Sequence, residues 1–148
     1  MDNKQQLNIN ISLPNLINIC VDEVINGEIS GRLYHCYSKD PVVFYNIIEL
    51  LMEAEELFDR LRYPQASTRS RCFMEKERTA PAPRPEKLQD QKEVIQHRGR
   101  RGSFVIGVRF RQNSTWQGEF VTLETGNRRM FSNTLDFLKM IDHELVSL

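Results

Sequence analysis

One offset constrains this chain more than any other feature. Slid by 87 positions, its first part falls on its last part without a gap. Ile17, Ile19 and Val21 land on Phe104, Ile106 and Val108; Gly31 lands on Gly118, Leu33 on Phe120 and Phe44 on Phe131. Further on, Leu50, Leu51, Ala54 and Phe58 land on Phe137, Leu138, Ile141 and Leu145. Apolar positions stay apolar and the glycine stays glycine through strand-like, turn-like and helix-like stretches alike. Chance agreement between two amphipathic stretches would drift between elements, so the expectation is an internal repeat: repeat one over 15–62 and repeat two over 103–147.

Each copy reads as strand, strand, helix. Leu16 to Asp22 alternates with period two, Asn26-Gly27 marks a tight hairpin because both residues tolerate positive φ, and Ile29 to Tyr37 returns. Asp40-Pro41 reads as a helix start, followed by an apolar stripe through Phe44, Ile47, Ile48, Leu51, Ala54, Phe58 and Leu61. The second copy alternates from Ser103 to Arg111, turns over Gln112 to Thr115 and returns along Trp116 to Glu124. It then enters a helix capped by Ser132. A two-stranded unit is marginal alone. The predicted fold is therefore α+β, one pseudo-symmetric two-layer domain over 1–148: duplicated β-β-α units form a four-stranded antiparallel sheet with two helices on one face. Alternation assigns Ile17, Ile19, Val21, Leu33, Phe104, Ile106, Val108, Phe110 and Phe120 to the helix side. Cys20, Tyr34, Cys36, Val105, Val121 and Leu123, with Arg109 and Arg111, are assigned to an open face.

Charge separates the parts. The 20 basic and 20 acidic residues cancel, but residues 1–65 carry −5 and the connector 66–102, with Ala80-Pro81-Ala82-Pro83-Arg84-Pro85 at its middle, carries +5. The connector builds no core of its own in this reading, although Leu88 to His97 has the composition for a short helix. No apolar run is long enough to span a bilayer and the first residues lack a secretory pattern, so a cytoplasmic protein without membrane contact is expected. Cys20, Cys36 and Cys72 have neither paired spacing nor adjacent histidines, so no disulfide framework, metal site or cofactor is expected. His35, His97 and His143 are scattered, no nucleophile or phosphate-loop motif occurs, and no catalytic residue is assigned.

Phe110-Arg111-Gln112-Asn113-Ser114-Thr115-Trp116-Gln117-Gly118, with Phe131-Ser132 and the helix through Asp142, resembles a group of short uncharacterised proteins of gut-dwelling Clostridia that carry an FRQN-x-[ST]-WQG string. The likeness extends to Gly31-Arg32-Leu33-Tyr34 and to Phe44 through Asp59, and implies a bacterial origin and a two-part layout. It implies no activity and no site.

Two functional readings follow. The first is a non-enzymatic binding or regulatory protein that contacts another protein, or a copy of itself, through Tyr34, Arg109, Arg111, Val121 and Leu123 on the open sheet face. The alternative is a nucleic-acid or nucleotide binder built on Arg98, Arg100 and Arg101 with Arg109 and Arg111, five arginines expected near one edge. Trp116, aligned with Ile29, is expected in the core rather than in a stacking platform.

Overall fold

A computed structural model describes residues 13–64, 85–112 and 115–147. The chain runs β1 (Ile17–Ile25), β2 (Glu28–His35), β3 (Val42–Phe44), α1 (Ile47–Leu61), α2 (Gln91–Val94), β4 (Gly102–Gln112), β5 (Thr115–Thr122), β6 (Arg128–Phe131) and α3 (Thr134–Ser147). All six strands form one antiparallel sheet in the order β3-β2-β1-β4-β5-β6. The α+β class holds, but the four-stranded, two-helix arrangement predicted from the sequence is corrected to six strands and three helices among the described residues. The two extra strands, three and four residues long, are too short to show alternation, and β6 carries Arg128-Arg129 on an exposed edge where polar residues belong. The third helix, α2, is four residues long and lies within the stretch read as a possible short helix.

The hairpin between β1 and β2 forms at Asn26 (φ 54°) and Gly27 (φ 79°), as the pair requires. Asp40-Pro41 does not start a helix. Asn46 does, accepting a 2.9 Å bond from the Glu49 amide while Glu49 accepts from the Tyr45 amide at 2.8 Å. Asn133, not Ser132, caps α3 in the same manner: its Oδ1 accepts from the Asp136 amide at 2.7 Å, and Asp136 accepts from the Ser132 amide at 3.0 Å.

Equivalent features recur 87 residues apart. The register shifts between Val21 and Glu23 in β1 and between Val108 and Phe110 in β4, leaving Asp22 and Arg109 as the extra residues of two bulges. Gly31 faces the first bulge and Gly118 the second. A Cβ on either would lie 1.9 Å from the Cys20 carbonyl oxygen or 2.1 Å from that of Gly107, so neither site has room for a side chain. Phe44 pairs with Gly31 and Phe131 with Gly118, both rings fully buried. Across the bulges, Asp22 pairs with Arg32 and Arg109 with Glu119, the same contact with the charges exchanged. At the centre β1 pairs with β4 from Ile17↔Ile106 to Val21↔Gly102.

The main core lies between the sheet and helices α1 and α3. Ile17, Ile19, Leu33, Phe104, Ile106 and Phe120 meet Leu50, Ala54, Phe58, Phe137 and Ile141 there. Trp116 belongs to this core, edge-on to Phe58 (centroids 5.5 Å) and tilted on Phe137 (5.4 Å). The opposite sheet face is not open. Leu13, Leu16 and Val94 close over Cys20, Tyr34, Cys36, Val105, Val121 and Leu123 in a second apolar cluster. The 85–101 part of the connector, expected to lack a core, forms a strap across that face. Its backbone is tied down by Leu88 and Gln89 amides donating to the Cys36 carbonyl (2.7 and 3.1 Å) and by the Arg101 amide donating to that of Val21 (2.8 Å). Asn18 Nδ2 reaches across to the Val94 and His97 carbonyls.

Candidate functional site

The strap removes most of the sheet-face site expected from the sequence. Tyr34, Val121 and Leu123 are 6%, 3% and 3% exposed, and all three belong to the cluster under the strap. The Tyr34 ring stacks on His97 at 3.7 Å and 2°, and its hydroxyl accepts from Arg32 at 2.6 Å. Alternation placed these side chains on the correct side of the sheet; it carries no information on which other segment lies above them. Burial pushes the Cys20 thiol up to about 12 and raises that of Cys36, so both are inert thiols at neutral pH.

The five arginines do not converge. Arg98, Arg100 and Arg101 extend exposed side chains from the strap beside β1, where the Arg100 amide donates to Asp22 and the Arg98 carbonyl accepts from Arg32. Arg109 lies eight residues further along β4, about 26 Å at the ordinary strand rise, and is paired with Glu119. Glu119 also receives Arg128. Burial pushes the Glu119 carboxyl upward, and the two guanidinium groups outweigh it and hold the group below its ordinary value. Arg111 is on the other face altogether. The extra residue at Arg109 reverses the alternation, so Phe110, expected in the core, is 57% exposed, whereas Arg111, expected outside, is 4% exposed under α1. There it donates to Glu55 (2.8 Å), Asp59 (2.9 Å) and the Pro64 carbonyl (2.8 Å). Trp116 Nε1 donates to the other Glu55 oxygen.

Hydrogen-bonded chemistry elsewhere is structural in geometry. His35, 3% exposed, accepts from the Tyr37 amide through Nδ1; burial, with Arg60 adding repulsion, pulls it down to about 4. Among the described residues, no three His, Cys, Asp or Glu side chains group to hold a metal ion. No helix among them is long and apolar enough to cross a membrane.

Exposed large apolar side chains lie at strand ends and edges (Ile25, Val43, Phe110, Met130) and on the layer of helices. Ile48, Met52, Glu55 and Asp59 follow one another at four- and three-residue steps and so share one flank of α1, the flank whose carboxylates reach Arg111. The matching flank of α3 carries Leu135, Lys139, Asp142 and Val146. Ile48, Met52, Leu135 and Val146 are all strongly exposed, Val146 to 82%. At the end of this seam formed by the start of α1 and the end of α3 there is a cavity of about 270 Å³, walled by Val24, Ile29, Ile47, Leu138, Ile141 and Leu145, with Gly27, Arg101, Asp142 and Val146 completing its lining. The helix layer is acidic: α1 holds five carboxylates against Arg60, and α3 three against Lys139. Sequence reasoning missed this site because it used the helices only as core. Ile48, which its spacing put in the buried stripe, is 63% exposed beside Met52, so the apolar stripe is wider than the face the core covers.

No protein-family model, no curated protein and no solved structure matches the chain.

Proposed function

We propose that this chain is a non-enzymatic binding or regulatory protein that acts by contact with another protein, and that the contact is made along the seam between α1 and α3 rather than on the sheet face. The observation that carries this reading is that Ile48 and Met52 on α1 and Leu135 and Val146 on α3 are all exposed and lie on equivalent flanks of two helices that cover one core. Large apolar side chains concentrated on one surface mark a contact site. The carboxylates on α1 and α3 select a partner of opposite charge, so the occupant is a basic amphipathic helix that lays its apolar stripe in the seam.

The test is recovery of the partner from the native cell with wild type and with the Ile48→Asp/Leu135→Asp variant. Both positions are exposed, so the double variant keeps its unfolding free energy in urea within about 1 kcal/mol of wild type. A protein that survives nuclease and roughly 200 mM salt with wild type, and is lost with the variant, supports the reading. A complex retained by the variant overturns it. A nuclease-sensitive complex whose affinity falls with about the third power of salt points instead to phosphate contacts by Arg98, Arg100 and Arg101. Concentration-dependent self-association abolished by the same variant would make the partner a second copy of the chain.

A further inference from the structure

The cavity at the end of the seam has an occupied counterpart in the same molecule. Shifted by 87 residues, Ile29 becomes Trp116, Val24 becomes Arg111, Leu145 corresponds to Phe58 and Asp142 to Glu55. In that second half the equivalent space is filled from within. The Trp116 indole lies edge-on to Phe58 and donates its N–H to Glu55, while Arg111 binds the same carboxylate. In the first half, Ile29 and Val24 are too small to do the same. The space stays open, with Asp142 at its rim where Glu55 accepts in the other half. Its volume of about 270 Å³ is just under the range of small-ligand pockets, enough for a single ring system.

We infer that this cavity binds a tryptophan side chain of the partner, its indole buried between Ile29 and Leu145 and its N–H donated to Asp142. The inference rests on the seam being the partner site and adds its anchor. An aromatic residue in an apolar pocket with one polar partner is the arrangement that dominates binding energy at protein interfaces. The apolar lining is the cavity's own; the placing of an indole against a carboxylate comes from the half in which the chain supplies its own.

The test needs no partner. Methyl resonances of Ile29, Ile47, Ile141 and Leu145 in the full chain are followed while N-acetyl-tryptophanamide is added. Saturable shifts are expected, with a dissociation constant on the order of 1 mM for so small a probe. The 1-methylindole analogue, which has no N–H, and the Asp142→Ala variant should each bind about tenfold more weakly, the usual size of one hydrogen bond to a charged group. Ile29→Trp should fill the cavity and abolish saturable binding. Asp142 is exposed, so its variant folds whatever becomes of Ile29→Trp. Absence of saturable shifts in wild type, or equal binding of the methylated analogue and by Asp142→Ala, overturns the inference. Because Ile48 and Leu135 are not part of the cavity, loss of the partner in their variant and loss of probe binding here are separate results. Either reading can fail while the other's test succeeds.

Discussion

The extra residue at Asp22 in β1 and at Arg109 in β4 turns over the strand that follows it, and single side chains take their roles from that. Arg111 becomes the buried tie between β4 and α1, with its guanidinium also 5.6 Å above the Phe58 ring. Arg111→Ala should cost about 2–3 kcal/mol by urea denaturation, because packing and charge-assisted hydrogen bonds disappear together. Gly31→Ala and Gly118→Ala should each cost about 1–3 kcal/mol, since the new methyl meets a carbonyl that cannot move without breaking the bulge. His35 supplies a pH dependence. Held neutral in the fold with its pKa at about 4, it binds a proton near pH 6.5 only when unfolded. Its contribution is therefore complete above pH 6.5, falls as pH drops towards 4, and amounts to an order of 3 kcal/mol over that window. His35→Asn keeps an acceptor for the Tyr37 amide, so stability measured between pH 7 and 4.5 should lose that slope.

At the scale of elements, the sequence revealed what depends on period and local turn chemistry. The Asn26-Gly27 hairpin and the separation of Ile17, Ile19 and Phe104 from Cys20, Tyr34 and Val105 follow from these, and the burial of Trp116 from its alignment with Ile29. It hid what depends on distant pairing. β3 and β6 pair with β2 and β5 opposite Gly31 and Gly118, the glycines that face the bulges, and no local pattern announces that pairing. The helix starts were misplaced because Asp40-Pro41 is as good a cap as Asn46 until a strand takes up residues 42–44. The strap was missed because one buried valine, Val94, anchors a segment whose composition is otherwise charged. Val94→Ala should cost about 2 kcal/mol and act first on the strap. Hydrogen exchange at the Leu88 and Gln89 amides, which bond the Cys36 carbonyl, should quicken before exchange in β1 and β4.

For the whole molecule, the β1–β4 pairing is what joins one half to the other, through Ile17 to Val21 and Gly102 to Ile106. Neither half has a complete sheet or a complete core without it, since Ile17 and Ile19 pack in one cluster with Phe104 and Ile106. Residues 1–64 and 85–148 produced as separate chains should each lack cooperative unfolding. Mixed, they should recover the circular dichroism and a single urea transition; a half that folds alone would contradict this. The candidate site has the same dependence, because its cavity takes walls from the β1–β2 hairpin and from α3.

The exchange of Asp22–Arg32 for Arg109–Glu119 across the middle of the sheet carries a different consequence. A homodimer of half-length chains would have two identical seats and could not fill one without filling the other. Tethering both in one polypeptide releases them from that symmetry, so Trp116 can plug one seat for strength while the residues of its twin diverge.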